Sequence, residues 1–105
     1  MNCSRGELVL LPIPFTDLTS TKVRPAVVVG RGSHPGDIFV VPVTSQLQNG
    51  DLSLTDWQAE GLNVPSAIKG QICTIEDRLI RRSIGSLTQR DQAALDANLR
   101  SWLSL

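Results

Sequence analysis

PAVVVGRGSHPGDIFVVPV, residues 25–43, is the stretch that decides the fold of this chain. It holds two continuous runs rich in Val, Ile and Phe, residues 25–29 and 38–43, on either side of a Gly- and Pro-containing segment. That segment, residues 30–36, has the turn chemistry of a β-hairpin connection. Because both runs are apolar on successive residues, we expect the two strands to be covered on both faces. The stretch therefore predicts the central hairpin of a small closed or nearly closed β-barrel.

Shorter apolar segments on both sides of the hairpin predict further strands. Residues 7–11 form an aliphatic run bounded by Gly6 and Pro12, which predicts a first strand. Downstream, the patterns predict a short edge strand at 52–54, one helical turn at 56–60 ended by Gly61, and strand-like segments at 64–74 and 80–87. The chain is therefore expected to be mainly β.

The last segment has the signals of an amphipathic helix. Thr88 and Asp91 resemble a capping box in which aspartate replaces the usual glutamate. Apolar residues then recur at helical spacing on one face: Leu95, Leu99, Trp102 and Leu103. We expect a C-terminal helix packed on the barrel, with Trp102 in the core or, alternatively, on a surface for a partner.

Length and charge limit the classes of protein to consider. The 105 residues suit a single domain, residues 1–105, and the ten basic and ten acidic residues cancel. No strong field therefore draws the chain to nucleic acid or to a membrane, and any nucleic-acid contact must be local. No apolar stretch of 18 residues exists, and the short segment 8–15 is interrupted by prolines and lacks a signal-peptide cleavage signature. We expect a cytoplasmic protein with no membrane partner.

The cysteines and the histidine argue against metal chemistry. Cys3 and Cys73 form no CxxC pair, so free thiols are expected. His34 is the only histidine and lies in the turn segment, so neither a zinc site nor a two-histidine acid/base pair can form within one chain. Nucleotide-binding and hydrolase motifs such as Walker A or GxSxG are absent, and the carboxylates are scattered rather than paired near strand ends. We expect neither a metal nor a cofactor.

Polar side chains flank the two strands of the hairpin. Arg24 comes directly before the first strand, and Thr44 and Ser45 directly follow the second. Antiparallel pairing brings these two ends together, and a guanidinium beside two hydroxyls suits a phosphate cradle. Two plainer interpretations stay open. Arg24 could be an exposed charge or the partner of Asp17, and the hydroxyls could cap the strand through turn hydrogen bonds.

Short motifs follow one another in order along the chain and together resemble a known family. They are RGE at residues 5–7, PFTD at 14–17, KVRPAVVV at 22–29, PVTS at 42–45, and the pairs at 56–57, 61–62 and 65–66. In this order they resemble the MazF/PemK family of toxin endoribonucleases over about residues 5–87, and the C-terminal helix matches in type only.

The resemblance implies a fold and an activity. The family fold is an SH3-like β-barrel with a C-terminal α-helix, which gyrase-poisoning toxins share. Its members usually act as homodimers that an antitoxin neutralises. MazF/PemK-like enzymes cleave single-stranded RNA without a metal and leave a 2′,3′-cyclic phosphate. The expected partners are therefore single-stranded RNA, a cognate antitoxin and a second copy of this chain.

The resemblance also assigns roles to the residues at the hairpin. Arg24 corresponds to the family's catalytic arginine, and Thr44, with Ser45 beside it, corresponds to its catalytic threonine or serine. When a ribose 2′-hydroxyl attacks the adjacent phosphate, charge builds on the non-bridging oxygens, and one donor aimed there lowers the barrier by about 3 kcal/mol. Arg24 suits this stabilising role, since a guanidinium stays protonated and is a poor general base. The identity of the base stays open.

Substrate contacts are expected around these residues, at Thr16, Asp17, Lys22, Gln46, Lys69 and Gln71. Phe15 or Trp57 could stack on a base or serve in packing. Many family members carry an arginine or lysine followed two positions later by an acidic or polar residue, in the strand that leads to a Thr-Ile pair. Here the stretch 69–75 reads KGQICTI and is about one residue short, which is a departure from the family pattern. Lys69 lacks the bidentate fork of arginine, and Gln71 cannot act as an acid or base, so a weaker or differently specific activity is expected.

A second hypothesis is a non-catalytic toxin or binding module on the same barrel, for example a gyrase inhibitor. The fold shared with gyrase-poisoning toxins and the departure at Lys69 and Gln71 motivate it. An RNA cleavage assay and a gyrase supercoiling assay distinguish the two hypotheses.

Overall fold

The structure, a computed structural model, describes residues 3–14 and 21–105. Within these ranges the chain forms seven β-strands and one α-helix. They are β1 (Glu7–Pro14), β2 (Thr21–Arg31), β3 (Asp37–Thr44), β4 (Leu52–Ser53), β5 (Ala67–Ile68), β6 (Cys73–Glu76), β7 (Arg82–Ser86) and α1 (Gln89–Leu103). The predicted mainly-β class with a C-terminal α-helix is confirmed.

The strands form one antiparallel sheet that curls into a half-barrel. Their spatial order is β4-β5-β3-β2-β1-β7, and β6 pairs with β3 as well. Strand β3 is thus bordered by β2 on one side and by two short strands, β5 and β6, on the other. Since β4 lies at the end of this order, the prediction of a short edge strand at 52–54 is confirmed.

The central hairpin forms as the apolar runs predict. Val27 of β2 pairs with Val41 of β3, and a bulge follows between Val28 and Gly30. Successive residues of a strand point to opposite faces of the sheet, so a continuous apolar strand must be covered twice. Ala26, Val27 and Val28 are indeed all buried. Both faces of the hairpin are therefore packed.

Two groups of buried side chains cover those faces. The first core cluster contains Cys3, Val9, Leu11, Ile13, Ala26, Val28, Ile38, Val40 and Ile75. The second core cluster contains Leu8, Val27, Val41, Val43, Leu54, Leu62, Ile68, Leu95 and Leu99. The last two residues belong to α1, so the C-terminal helix packs on the second face of the sheet. Each buried aliphatic side chain contributes about 1.5–3 kcal/mol.

The helix begins at the predicted cap. The Oγ1 atom of Thr88 accepts a hydrogen bond from the backbone N–H of Asp91 at 3.4 Å. Leu95 and Leu99 are buried and Trp102 is half-buried against the second core cluster, so the core interpretation of Trp102 is confirmed. Leu103 was expected on the same face but is 51% exposed, because it lines an apolar surface groove at the end of the helix instead.

The first strand is longer than predicted, because Pro12 does not end it. β1 pairs with β2 from Leu8 to Pro14, and Pro12 lies opposite Val23. On its other side, β1 pairs with β7 only as far as Leu10. Beyond that point β1 has a free edge within the described residues, and proline, which lacks an N–H, is tolerated on an edge.

The segment predicted as strand-like over residues 64–74 is broken in two. Its ends form β5 and β6, which pair with opposite ends of β3. Between them, the N–H of Gly70 donates to the Asp51 carboxylate at 2.6 Å rather than to a strand. A side chain from another part of the chain therefore interrupts the ladder. Cys3 and Cys73 are free thiols, as expected.

The predicted turn at 56–60 is confirmed as a hydrogen-bonded turn. The N–H of Glu60 donates to the Asp56 carbonyl at 3.0 Å, and Gly61 follows with a φ of +100°. A Cβ atom on Gly61 would lie 2.7 Å from Cγ2 of Ile84 and 2.8 Å from its carbonyl oxygen. Both the backbone conformation and the packing against β7 therefore require glycine here.

Candidate functional site

A cleft of about 440 Å³ opens at the Thr44 end of the central hairpin. Three structural parts enclose it: the adjoining ends of β1, β2 and β3, the segment after the turn at 56–60, and β7. The lining residues are Leu10, Lys22, Arg24, Pro25, Val43, Thr44, Ser45, Gln46, Gly61, Leu62, Asn63, Val64, Ser66, Arg82 and Ile84. The cleft thus joins residues from distant parts of the chain.

Arg24 and Thr44 meet at this cleft through the strand register. Ala26 pairs with Pro42, and the same register continued by two residues places Arg24 opposite Thr44. The sequence predicted that Arg24 precedes the strand, and this was wrong. Arg24 lies within β2, opposite Leu11, because β2 already starts at Thr21. Thr44 is likewise the last residue of β3. Both residues line the same cleft, with Arg24 inside a paired strand and Thr44 at the end of one.

The hydroxyl of Thr44 is held in place by the turn that follows it. Its Oγ1 atom accepts a hydrogen bond from the backbone N–H of Gln46 at 3.1 Å, and the residue is only 7% exposed. The turn hydrogen bond that competed with a chemical role is therefore present. A hydroxyl that accepts one bond keeps its own proton to donate, so a phosphate oxygen in the cleft could still be bound. Ser45 is exposed beside it.

The charged side chains that line the cleft are all positive within the described part of the chain. They come from Lys22, Arg24 and Arg82, and no Asp or Glu is among the described residues that line it. The whole chain has a formal net charge of zero, so this local excess arises from the folding pattern. Three cations around two hydroxyls favour an anionic, phosphate-bearing ligand.

Arg82 is a site residue that the sequence analysis missed. In β7, Arg82 pairs with Leu10 of β1, which lines the cleft itself. The only sequence signal was a basic residue within the segment predicted as a strand at 80–87. Its place depends on β7 pairing with β1, a contact between residues more than seventy positions apart that no local pattern reveals.

Other predicted site residues lie elsewhere or outside the description. Lys69 and Gln71 do not line this cleft: the N–H of Lys69 donates to Pro42, and the Gln71 amide lies 3.6 Å from the Cys73 sulfur. Gln46 and Lys22 do line it. Thr16, Asp17 and Phe15 fall outside the described residues. Trp57 packs against the second core cluster.

The wall formed by residues 61–64 is fastened to α1 by buried carboxyl groups. Glu60 is 1% exposed, and its Oε2 atom accepts the N–H of Thr88 at 2.9 Å. Asp91 is 3% exposed and accepts the backbone N–H groups of Thr55 at 3.1 Å and Asp56 at 2.9 Å. These bonds join the turn before the wall to the first turn of the helix. Asp91 therefore fixes the turn instead of completing the capping box.

The carboxyl groups of this cluster differ in their acidity. Arg90 donates to both oxygens of Asp56, at 3.0 and 2.5 Å, and together with the Thr88 hydroxyl lowers the pKa of Asp56 to about 2. Burial and the neighbouring Asp91 raise the pKa of Glu60 to about 7.

Carboxylate oxygens of Asp56, Glu60 and Asp91 lie within 4.8 Å of one another, which makes them a candidate cation-binding group among the described residues. Asp91 and Asp56 already accept the hydrogen bonds described above, however, and Arg90 supplies a positive charge to Asp56. The cluster therefore suits a structural role.

Comparisons with known proteins identify the family of this chain. Residues 4–103 match the family model described as PemK-like, MazF-like toxin of type II toxin-antitoxin system. Because the match covers nearly the whole chain, the protein belongs to this family of toxins. No curated protein matches the chain significantly. No helix of the described chain is long and apolar enough to cross a membrane.

Solved structures share the fold at low sequence identity. An endoribonuclease in complex with its cognate antitoxin from a mycobacterial species is 17% identical, with a TM-score of 0.73 and 100% and 97% of the two chains covered. Mycobacterium tuberculosis toxin MazF-mt6 is 22% identical, with a TM-score of 0.70 and coverages of 92% and 97%. MazE-MazF from Deinococcus radiodurans is 19% identical, with a TM-score of 0.75 and coverages of 98% and 96%. These likenesses support the fold alone.

Proposed function

We propose that this protein is an endoribonuclease toxin that cleaves single-stranded RNA in the cleft between Arg24 and Thr44. The observation that carries the proposal is the composition of the cleft: three cations and two hydroxyls, with no carboxylate among the described lining residues. Such donors bind a phosphodiester, whereas a catalytic metal ion prefers carboxylate, imidazole or thiolate ligands. Membership of a family of toxins supports the same conclusion.

The proposed reaction depends on stabilisation of the negative charge that develops on the phosphate. The ribose 2′-oxygen loses its proton and bonds to the adjacent phosphorus, the bond to the 5′-oxygen breaks, and the 5′-oxygen takes up a proton. The products are a 2′,3′-cyclic phosphate and a 5′-hydroxyl end. Arg24 and the Thr44 hydroxyl donate to the non-bridging oxygens, whose charge grows in the transition state. Because Arg24 lies within a paired strand, its backbone position is set before the substrate arrives.

Lys22 and Arg82 serve a different role in this proposal. Both are exposed, and both line the same cleft. They are placed to bind phosphates of neighbouring nucleotides and so hold the chain of the RNA across the site. Local cations of this kind permit RNA binding by a chain whose net charge is zero.

A cognate antitoxin and a homodimer belong to the proposal as well. The mycobacterial endoribonuclease of the same fold was solved in complex with its cognate antitoxin. A second copy of the chain would lengthen the groove for RNA, and two-fold dimers are the commonest oligomers. Light scattering at micromolar concentration should report a dimer, and a strictly monomeric mass counts against it. Co-purification with the product of a neighbouring reading frame tests the antitoxin.

The decisive experiment is cleavage of mixed single-stranded RNA in the presence of EDTA, with mapped product ends. Arg24→Ala should abolish cleavage, and Arg24→Lys, which keeps the charge but not the planar fork, should restore only a part of it. Arg78→Ala is the matched control, because the Arg78 side chain is 75% exposed and forms its ion pair with Glu76, away from the cleft.

Melting temperatures must show that each variant is folded. Equal cleavage by wild type and Arg24→Ala, or no cleavage by either, overturns the proposal. Inhibition of gyrase supercoiling in the absence of RNA cleavage would favour the alternative of a non-catalytic toxin.

A further inference from the structure

The wall of the cleft is connected to α1 by a pair of buried acids. Glu60 is 1% exposed and Asp91 is 3% exposed, and their carboxyl oxygens belong to one cluster within 4.8 Å. Glu60 directly precedes Gly61, the first residue of the wall at 61–64. Any change in the attachment of Glu60 therefore acts on the wall through one peptide bond.

One oxygen of this pair lacks a partner. The Oε1 atom of Glu60 is buried and accepts no hydrogen bond from any described residue, whereas Oε2 is bound by Thr88. A buried acceptor without a donor is unfavourable, and two ionised carboxylates within 4.8 Å of each other repel. A proton on Oε1 removes both problems, because the atom becomes a donor and Asp91 becomes its acceptor. Each oxygen of Asp91 accepts one backbone N–H, which leaves it a lone pair for this bond.

We propose that Glu60 and Asp91 share one proton, and that this protonated pair positions the wall of the cleft. Glu60 is then a positioning residue: its ionisation separates the turn from α1 and loosens residues 61–64. The effect on RNA cleavage rests on the proposed function, whereas the effect on the wall does not.

The charged groups around Glu60 support a proton rather than a counter-ion. On α1 they are Asp91 and Arg90, and on the turn Asp56. Arg90 donates its hydrogen bonds to both oxygens of Asp56, so its charge reaches Glu60 only through space and after Asp56 has been compensated. On the β7 side, Ile84 and Gly85 lie against the turn, and both are uncharged. Burial and Asp91 raise the pKa of Glu60 to about 7, so the proton leaves near neutral pH.

The packing of the turn transmits this change. A Cβ atom on Gly85 would collide with the Glu60 carbonyl, so β7 and the turn are in direct backbone contact. Leu62 is buried in the second core cluster, and its N–H donates to the Trp57 carbonyl at 3.0 Å. Because the turn packs against β7 and Leu62 against the core, separation of two ionised carboxylates displaces the wall toward the open cleft.

The test compares wild type with Glu60→Gln, which keeps a donor at the same place but cannot ionise. For wild type, the melting temperature should fall by about 5 °C or more between pH 5 and pH 8, given the usual dependence for a domain of this size. Glu60→Gln should remove that fall. His34→Gln, which replaces the one histidine of the chain, should retain it. A wild-type melting temperature that is constant or rises over this range overturns the inference, even if the variant does not fold.

Hydrogen exchange reports on the wall itself. After correction for the intrinsic pH dependence, amides of residues 57–66 should exchange faster at pH 8 than at pH 6 in wild type and equally fast in Glu60→Gln. The ratio of RNA cleavage rates, variant to wild type, should rise with pH. The inference is overturned if amide exchange and cleavage depend on pH identically in wild type and Glu60→Gln. It is also overturned if Mg²⁺ or Ca²⁺ stabilises wild type but not Glu60→Gln, because the cluster would then hold a cation. Absence of RNA cleavage in every protein overturns only the proposed function.

Discussion

Arg82 of β7 pairs with Leu10 of β1, and both residues line the cleft that contains Arg24. This relationship brings a third cation to a site whose other charged residues, as far as the structure describes the lining, are Lys22 and Arg24 of β2. The positive character of the cleft is thus a product of two strand pairings.

Replacement of Arg82 by alanine should weaken RNA binding without removing the catalytic group. Loss of one phosphate contact lowers the salt dependence of single-strand binding by about 0.7 in the slope of log K against log salt. Fluorescence anisotropy with a short labelled RNA, titrated at several salt concentrations, measures this slope. Arg78→Ala is the control, and an unchanged slope in Arg82→Ala would show that Arg82 does not contact the RNA.

Replacement of Thr44 by valine should reduce kcat/KM for RNA cleavage by about 100-fold or more, as expected for loss of one donor to the transition state. Thr44→Ser keeps the hydroxyl and should retain most of the activity. The valine also leaves the Gln46 N–H without its acceptor, so the melting temperatures of both variants are needed. If the serine variant is as slow as the valine variant, a hydroxyl at this position is not sufficient for activity, which contradicts the donor role proposed for Thr44.

Gly61→Ala should destabilise the protein by about 2 kcal/mol or more, since alanine resists a positive φ and its Cβ collides with Ile84. Gly30→Ala is the matched control: its Cβ would lie 3.8 Å from the nearest side-chain atom, on Phe39. Urea denaturation should show a change within about 0.5 kcal/mol for this control. Equal losses for both variants would contradict the structure of the turn.

Arg90→Ala should raise the pKa of Asp56 from about 2 toward its ordinary value of 3.8, because the guanidinium is the main cause of the lowering. The pKa of Asp56 should stay below 3.8 in this variant, since the Thr88 hydroxyl still donates to the carboxylate at 2.6 Å. An NMR titration of the Asp56 carboxyl measures both midpoints. Arg100→Ala, on the same helix, should leave the Asp56 midpoint in place, and an equal shift there would point to a general field effect.

The pH dependence of stability follows from Glu60 with a definite sign. Its pKa is raised from 4.5 to about 7 in the folded chain, so the folded state holds the proton more tightly than the unfolded state does. The contribution of Glu60 to the free energy of unfolding is therefore fully present below pH 4.5. It is lost as the pH rises through about 7.

The strands and the helix that the sequence predicts correctly are those with complete local signals. The runs at 25–29 and 38–43 are apolar on every residue, and Thr88 with the periodic leucines marks a capped helix. The errors arise where a distant group overrides the local pattern. Pro12 stays in β1 because β7 leaves that edge unpaired, and Asp51 interrupts the segment between β5 and β6.

The same division applies to the site. Arg24 and Thr44 could be brought together from sequence, because neighbouring strands of a hairpin have a predictable register. Arg82 could not, since its position depends on which strand β7 joins. The carboxylates that look scattered along the chain, Asp56, Glu60 and Asp91, form one cluster only when α1 docks on the turn.

The sequence by itself determined the central hairpin, the capped C-terminal helix and the location of Arg24 and Thr44 at one end of that hairpin, because each depends on residues that are close along the chain or joined by one turn. Only the tertiary structure decided that Arg82 completes the cleft and that Glu60 and Asp91 lie buried together behind its wall. Those contacts join residues far apart in sequence, and their formation depends on the packing of the whole sheet against α1.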